Sequence, residues 1–182
     1  MNNYRAIGLL ALVAVLLLCG CVRIYVASPD VFSFREPATI KTSRVINDLR
    51  TIGTALEAYS VDNNTYPVVT EKDMTVDTVS LANVEHLESH LAQYVRRVSP
   101  EDPWGHPYLY WSSGKSYVLL SLGSDGIIAD PKDFADAVAA ASADRVFVRT
   151  KNTDCLEDEI LLSGGQFLIM PKHSASECHP KR

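Results

Sequence analysis

Between residues 42 and 64 the chain repeats its apolar residues at one interval, and that interval constrains the fold more than any other feature. Val45, Leu49, Ile52, Leu56 and Tyr59 are spaced 4, 3, 4 and 3 apart, so a helix of 3.6 residues per turn gathers them on one face. Asp48, Arg50 and Glu57 fall mainly outside that stripe. A helix with one apolar face gains its stability by laying that face on another element. Asp62-Asn63-Asn64 stops the helix, and Tyr66-Pro67 enforces the exit, because proline disfavours helical conformation in the residue before it.

The partner for that face lies further along. Ser99 to Pro107 contains three prolines and a glycine, which excludes a helix or a central strand. Two short strands come next at 108–111 and 117–122, joined by Ser112-Ser113-Gly114-Lys115, and Gly123-Ser124-Asp125-Gly126 ends the second. A second amphipathic helix is expected over 80–97, with Leu81, Val84, Leu87, Leu91, Tyr94 and Val95 inward. An alanine-rich helix is expected over 132–143. A last strand pair is expected at 159–162 and 166–170, turning on Ser163-Gly164-Gly165. The prediction is an α+β domain: an N-terminal amphipathic helix packed on a small antiparallel sheet.

The start of the chain reads as a targeting element. Arg5 precedes an apolar run from 6 to 18, shorter than the roughly 20 residues a spanning helix needs, and suited to a secretory leader. The run ends in Leu18-Cys19-Gly20-Cys21, which resembles a bacterial lipobox, with an aliphatic residue three before the cysteine and a small one just before it. Cleavage before Cys21 would free its thiol for diacylglycerol attachment. Cys19 fits worse, because Leu18 would occupy the position that must be small. The alternative is an uncleaved anchor continuing through Ile24-Tyr25-Val26, a run that Arg23 interrupts. The expected organisation is a lipoprotein-type signal peptide (1–20), a tether (21–40) containing Pro29 and Pro37, a folded domain (41–170) and a tail (171–182). Val22, in place of aspartate, points to the outer membrane over the inner, with the domain facing the periplasm. Cys155 and Cys178 are the only cysteines outside the leader, and an oxidising envelope favours their disulfide. A metal site on Cys155, His173, Cys178 and His179 lacks the C-x-x-C pair that would support it.

Charge and motif content exclude other classes. With 17 basic against 22 acidic residues and a net charge of −5, the chain has no basic stripe and no nucleic-acid partner is expected. There is no Gly-x-Ser-x-Gly elbow, phosphate-binding loop or zinc-protease helix, so no enzyme is expected. His86 and His90 stand four apart, but the zinc-protease pattern needs glutamate directly after the first histidine, and here Leu87 stands in that place. They read as solvated boundary residues.

Four motifs, in order, resemble one family. They are Ala58-Tyr59 leading into Asp62-Asn63-Asn64-Thr65-Tyr66-Pro67; Asp102-Pro103-Trp104-Gly105-His106-Pro107-Tyr108 with Tyr110; Tyr117 to Gly126; and Glu157-Asp158-Glu159-Ile160 before the Gly-Gly turn and Phe167. Together they are similar to the periplasmic domain of the G-type major pseudopilin of type II secretion, over 42–126 and more loosely over 157–170. The resemblance implies a pilin-like fold and an assembly or interaction role with protein partners, within secretion machinery. That family carries a glutamate five residues into its mature apolar helix, which aligns stacked subunits. Residues 6 to 22 here contain no acidic residue, so fibre formation by the usual route is not expected.

The resemblance also implies calcium. Asp125 matches the aspartate of the family's first calcium loop, and the Leu122 carbonyl matches its backbone ligand. The second acidic segment is either Asp130 with Asp133, or Glu157 with Glu159. A hard cation needs several such oxygens. The expectation is a periplasm-facing envelope lipoprotein, held to the membrane by a lipid anchor or its apolar segment, that docks other proteins. Its alternative is a free-standing calcium-dependent binding module unrelated to secretion.

Overall fold

The computed structural model describes residues 36–128, 130–142, 151–155 and 158–176. The leader, Cys21, most of the tether, Glu157 and Cys178 lie outside them. Helix α1 (Ala38–Asn63) starts directly after Pro37, so the last three residues of the expected tether, 38–40, are already helical. Proline has no amide hydrogen and a preset φ, so it suits a helix entry. The predicted stripe is the buried face: Val45, Leu49, Ile52 and Leu56 are at most 1% exposed. Asn64 ends the helix in the left-handed region, φ 57°, with its N–H donating to the Ser60 carbonyl at 2.8 Å.

Among the described residues the sheet has seven strands: β1 (Met74–Val76), β2 (Val79–Asn83), β3 (Leu109–Ser112), β4 (Tyr117–Ser121), β5 (Lys151–Cys155), β6 (Ile160–Ser163) and β7 (Gln166–Ser176). Their order is β1-β2-β3-β4-β6-β7-β5. Neighbours are antiparallel except β5, which runs parallel to β7. Successive side chains of a strand point to opposite faces. Tyr117 and Leu119 accordingly join the α1 core, while Val118 and Leu120 join a second core on the other face. Helix α3 (Pro131–Ser142) covers that second face with Phe134, Ala137 and Val138, all buried. The expected helix on one sheet face is therefore one of two, and strands buried on both faces read as unbroken apolar runs. On the α1 side, Gly53 lets helix and sheet approach closely. A methyl group there would stand 2.9 Å from Leu162 Cδ2 and 3.1 Å from the Tyr117 hydroxyl.

The expected helix over 80–97 is corrected. The chain forms the β1–β2 hairpin, a 3₁₀ turn (Val84–Leu87) and a four-residue helix α2 (Glu88–Leu91). The burial reading holds, since Leu81, Val84, Leu87 and Leu91 are all fully buried. The conformation differs because Met74-Thr75-Val76 pairs with Val79-Ser80-Leu81 across a two-residue turn in which Asp77 has φ 52°. Asp73 fixes the far end of the hairpin, its carboxylate accepting the Asn83 N–H at 2.7 Å. The last strand pair forms as expected about Gly164 and Gly165, both with positive φ, but β7 continues to Ser176 through half of the expected tail. Strand β5 was not anticipated.

Candidate functional site

Two loops meet at the end of β4. The first, over 100–108, folds back on itself: Asp102 N–H donates to the His106 carbonyl at 2.8 Å and Gly105 N–H to the Asp102 carbonyl at 3.0 Å. Gly105 sits at φ 92°, which a side chain would oppose. The Asp102 carboxylate is only 5% exposed and fully engaged. Its Oδ1 accepts the N–H groups of Trp104 (2.9 Å) and His106 (3.0 Å), and its Oδ2 accepts the buried Ser121 hydroxyl at 2.8 Å. Three donors compensate a buried carboxylate that would otherwise be costly to desolvate. Half-buried Trp104 packs against the α1 core, and the Lys41 ammonium lies 5.6 Å from its ring centroid.

The second loop is Gly123 to Gly126, and His106 joins it to the first. His106 Nδ1 donates to the Gly123 carbonyl at 2.7 Å, and a methyl group on Gly126 would stand 2.7 Å from His106 Nε2. Gly123 and Gly126 both have φ 71°. Leu122 is buried while Asp125 is exposed, and Asp125 Oδ1 accepts the Ile127 N–H at 3.1 Å. Asp130 stands immediately before α3 and serves it: Oδ1 accepts the Lys132 N–H and the carbonyl accepts the Phe134 N–H, both at 3.1 Å. Glu159 is buried just before β6. The Asp133 side chain and Glu157 lie outside the described residues. Among the described residues no three histidine, cysteine or acidic side chains converge as a metal site. Of the candidate calcium ligands whose side chains are described, only Asp125 presents an exposed carboxylate, and these residues do not by themselves assemble a calcium shell.

A second set of contacts, which the sequence reading missed, ties α1 to the rest. Asp48 accepts the Tyr108 hydroxyl at 2.9 Å, Glu57 the Tyr66 hydroxyl at 2.8 Å and Asp62 the Tyr94 hydroxyl at 2.8 Å. Burial, and then the bond to Glu57, pushes the Tyr66 hydroxyl up to about 12. Burial and the Asp48 charge raise Tyr108 as well. The 64–67 exit is pinned to the β3–β4 turn, since Gly114 O accepts both the Tyr66 N–H (2.8 Å) and the Thr65 hydroxyl (2.9 Å). The available signal was acidic residues flanking the apolar stripe of α1, with tyrosines in the loops that return to it.

The remaining predicted groups are dispersed. His86 Nε2 lies 3.0 Å from Asp73 Oδ2, and exposed His90 meets Tyr59 edge-on, with ring centroids 5.9 Å apart. Cys155 is half-buried on β5, with Ser176 as its partner across to β7. Among the described residues no helix is long and apolar enough to cross a membrane. Among the described residues four large apolar side chains are notably exposed: Ile40, Val61, Val68 and Ile127.

Comparison with known proteins covers both loops. Residues 31–139 match the family model described as type II secretion system (T2SS), protein G. The type II secretion system core protein G of Klebsiella pneumoniae is 31% identical over 134 residues, 70% of this chain and 89% of that protein. Its namesake from Vibrio cholerae serotype O1 is 27% identical over 128 residues, 69% of this chain and 84% of that protein. The one from Pseudomonas aeruginosa is 28% identical over 120 residues, 65% of this chain and 82% of that protein. No solved structure gives a significant match. The family match ends inside α3, so β5, β6 and β7 lie beyond it.

Proposed function

The chain belongs to the type II secretion system protein G family, and from that premise we propose that it is a structural, non-enzymatic subunit acting with the secretion machinery in the cell envelope, its folded domain facing the periplasm. The observation that carries this reading is the family match over 31–139, which contains the clasp between the Asp102 turn and the Gly123–Gly126 loop. That clasp gives a rigid body suited to docking, with contacts spent on architecture. The free-standing calcium module is not favoured, because these relatives are all named for secretion.

The finer features belong to the same proposal. Cys21 carries the lipid anchor, outer-membrane in preference to inner, and Cys21→Ser abolishes lipid labelling and leaves an unprocessed precursor. An intact mass starting at unmodified Met1 rejects that anchor. Cys155 and Cys178 form a disulfide, a reading supported by the register that brings Cys155 opposite Ser176, two residues before Cys178. Calcium binds at the Leu122–Asp125 loop, supported by the exposure of Asp125 between two positive-φ glycines. Chelation then lowers the wild-type melting temperature by several degrees, and an unchanged melt removes calcium from the account. The decisive test of the role is site-specific crosslinking in native envelopes. Adducts between this domain and secretion components support it, and their absence, together with unimpaired secretion in a deletion strain, rejects it. The subunit docks instead of polymerising, so filaments of this protein alone by electron microscopy count against that part.

A further inference from the structure

Trp104 is held at the end of the domain where the chain enters it. The Lys41 ammonium, in the first turn of α1, lies 5.6 Å from its ring centroid, and Tyr108, at the close of the same loop, donates to Asp48 further along the helix. The ring packs on the α1 core yet stays only half-buried. Ile40, in the same first turn, is 49% exposed for a large apolar side chain. Glu36 and Arg44 offset each other at 2.9 Å, which leaves this end of α1 with the positive charge of Lys41. The neighbouring acids are mostly committed. Asp48 accepts the Tyr108 hydroxyl and Asp102 is buried among three donors, while Glu101 stays exposed at the start of the loop.

The chain leading into α1 indicates what this end faces. It runs back through Val31-Phe32-Ser33-Phe34-Arg35, an aromatic and basic sequence, to Cys21 and the apolar run 6–18. Residues 22–35, fully extended, reach at most about 50 Å, so a chain anchored at Cys21 holds Glu36 within that distance of the bilayer. Such confinement turns a weak surface contact into an intramolecular event at high effective concentration. Tryptophan settles at the level of the headgroups, and a basic side chain beside it meets their phosphates.

We propose that Trp104, Ile40 and Lys41 form a membrane-contact patch that seats the start of α1 on the phospholipid surface to which the chain is anchored. It rests on the N-terminal anchor given above and adds a second, non-covalent contact to it. The exposed part of Trp104 and the Ile40 side chain enter the headgroup region, and Lys41 meets the phosphates. Val61 supplies the contrast. It lies about 30 Å further along α1 and is more exposed, at 82%, but Asp62 follows it. Exposure alone therefore does not define the patch. An aromatic ring, an apolar side chain and a cation at the anchored end do.

The test uses the full chain, purified from membranes with its anchor and reconstituted into vesicles of phosphatidylethanolamine and phosphatidylglycerol, plain or brominated on the acyl chains. Two variants separate the two tryptophans. Trp111→Phe leaves Trp104 as the reporter, and Trp104→Phe leaves Trp111, which packs on the other core. Trp104 emission is expected to shift to the blue and to fall about twofold in brominated lipid, with Trp111 emission unchanged. Ile40→Asp combined with Lys41→Glu is expected to return Trp104 to its emission in water with an unchanged melting temperature, since acidic residues suit a first helical turn. Should Trp111→Phe disturb folding, the difference between wild-type and Trp104→Phe emission gives the same reading. Protein that floats with the vesicles while Trp104 escapes quenching overturns the patch and leaves the anchor standing. A double variant quenched as fully as the wild type does the same. Protein that does not float with the vesicles rejects anchor and patch together.

Discussion

Asp102 and Asp125 stand in adjoining loops, each near glycines and serines, and the fold uses them in opposite ways. Asp102 is buried and takes hydrogen bonds from two main-chain amides and the Ser121 hydroxyl. Asp125 is exposed and takes one, from Ile127 two residues on. The first carboxylate holds its turn to the end of β4 across 19 positions of sequence. The second shapes a local turn and presents its remaining oxygen to solvent. A motif aspartate is therefore read by what surrounds its oxygens: where they are all engaged it is architecture, and where they are not it is available to a ligand.

Breaking the buried side should have the largest effect. Asp102→Ala leaves Ser121 and two amides without their acceptor and is expected to cost roughly 3 kcal/mol, near 10 °C in melting temperature for a domain of this size. Asp102→Asn keeps an acceptor at Oδ1 and should lose less. Equal, negligible losses from both, by denaturant titration, would erase the distinction between the loops.

The bridge between them comes second. Gly126→Ala puts a methyl group against His106 Nε2 at a φ that disfavours side chains, an expected loss of about 1–2 kcal/mol. His106→Ala in the same chain should recover the steric part, so the two substitutions are non-additive. Strict additivity would mean that His106 does not join the loops.

A smaller effect, away from both aspartates, calibrates the comparison. The Tyr66 hydroxyl is held near 12 against about 10 for tyrosine in an unfolded chain. A pKa raised by folding contributes stability that is present below pH 10 and lost as pH climbs from about 10 toward 12. Tyr66→Phe should lower stability at neutral pH, where the hydroxyl donates to Glu57, and flatten the alkaline arm of the stability profile. An unchanged alkaline arm would place the tyrosine outside the folded network.

The smallest effect sharpens the contrast most. In the presence of chelator, Asp125→Ala should leave the melt where it was, since its one bond is local and exposed. A loss approaching that of Asp102→Ala would show that the loop depends on Asp125 for its shape.

Much of this architecture is legible in the sequence, and the exceptions have physical reasons. The α1 stripe, the β3–β4 hairpin and the Gly164–Gly165 turn arise from periodicity and turn chemistry. The β1–β2 hairpin does not, because Leu81, Val84, Leu87 and Leu91 are spaced 3, 3 and 4 apart. That spacing suits an α-helix, yet the chain buries Leu81 on β2, Val84 and Leu87 in the 3₁₀ turn and Leu91 on α2. The deciding signal was the β-branched Thr75-Val76 and Thr78-Val79 about Asp77. At the site, Asp130 was legible as a cap, because Pro131 comes after it at the first helical position. Read that way, one of the candidate ligands was already committed to α3. The Asp102–Ser121 bond was not legible, since no local pattern reports a contact across that separation.

Among the described residues, strand β5 has one neighbour in the sheet, β7, and β7 comes later in the chain. As the polypeptide emerges from its N-terminus onward during synthesis, β5 arrives before the strand with which it pairs. Residues 38–121 can bring together α1 and the first four strands while β5 waits, and only when the final strand has emerged can the parallel edge close. Non-local pairing of this kind is late and slow. Among the described residues, completion of the sheet thus depends on its last strand in sequence, and a chain cut short after β6 would lack the strand with which β5 pairs.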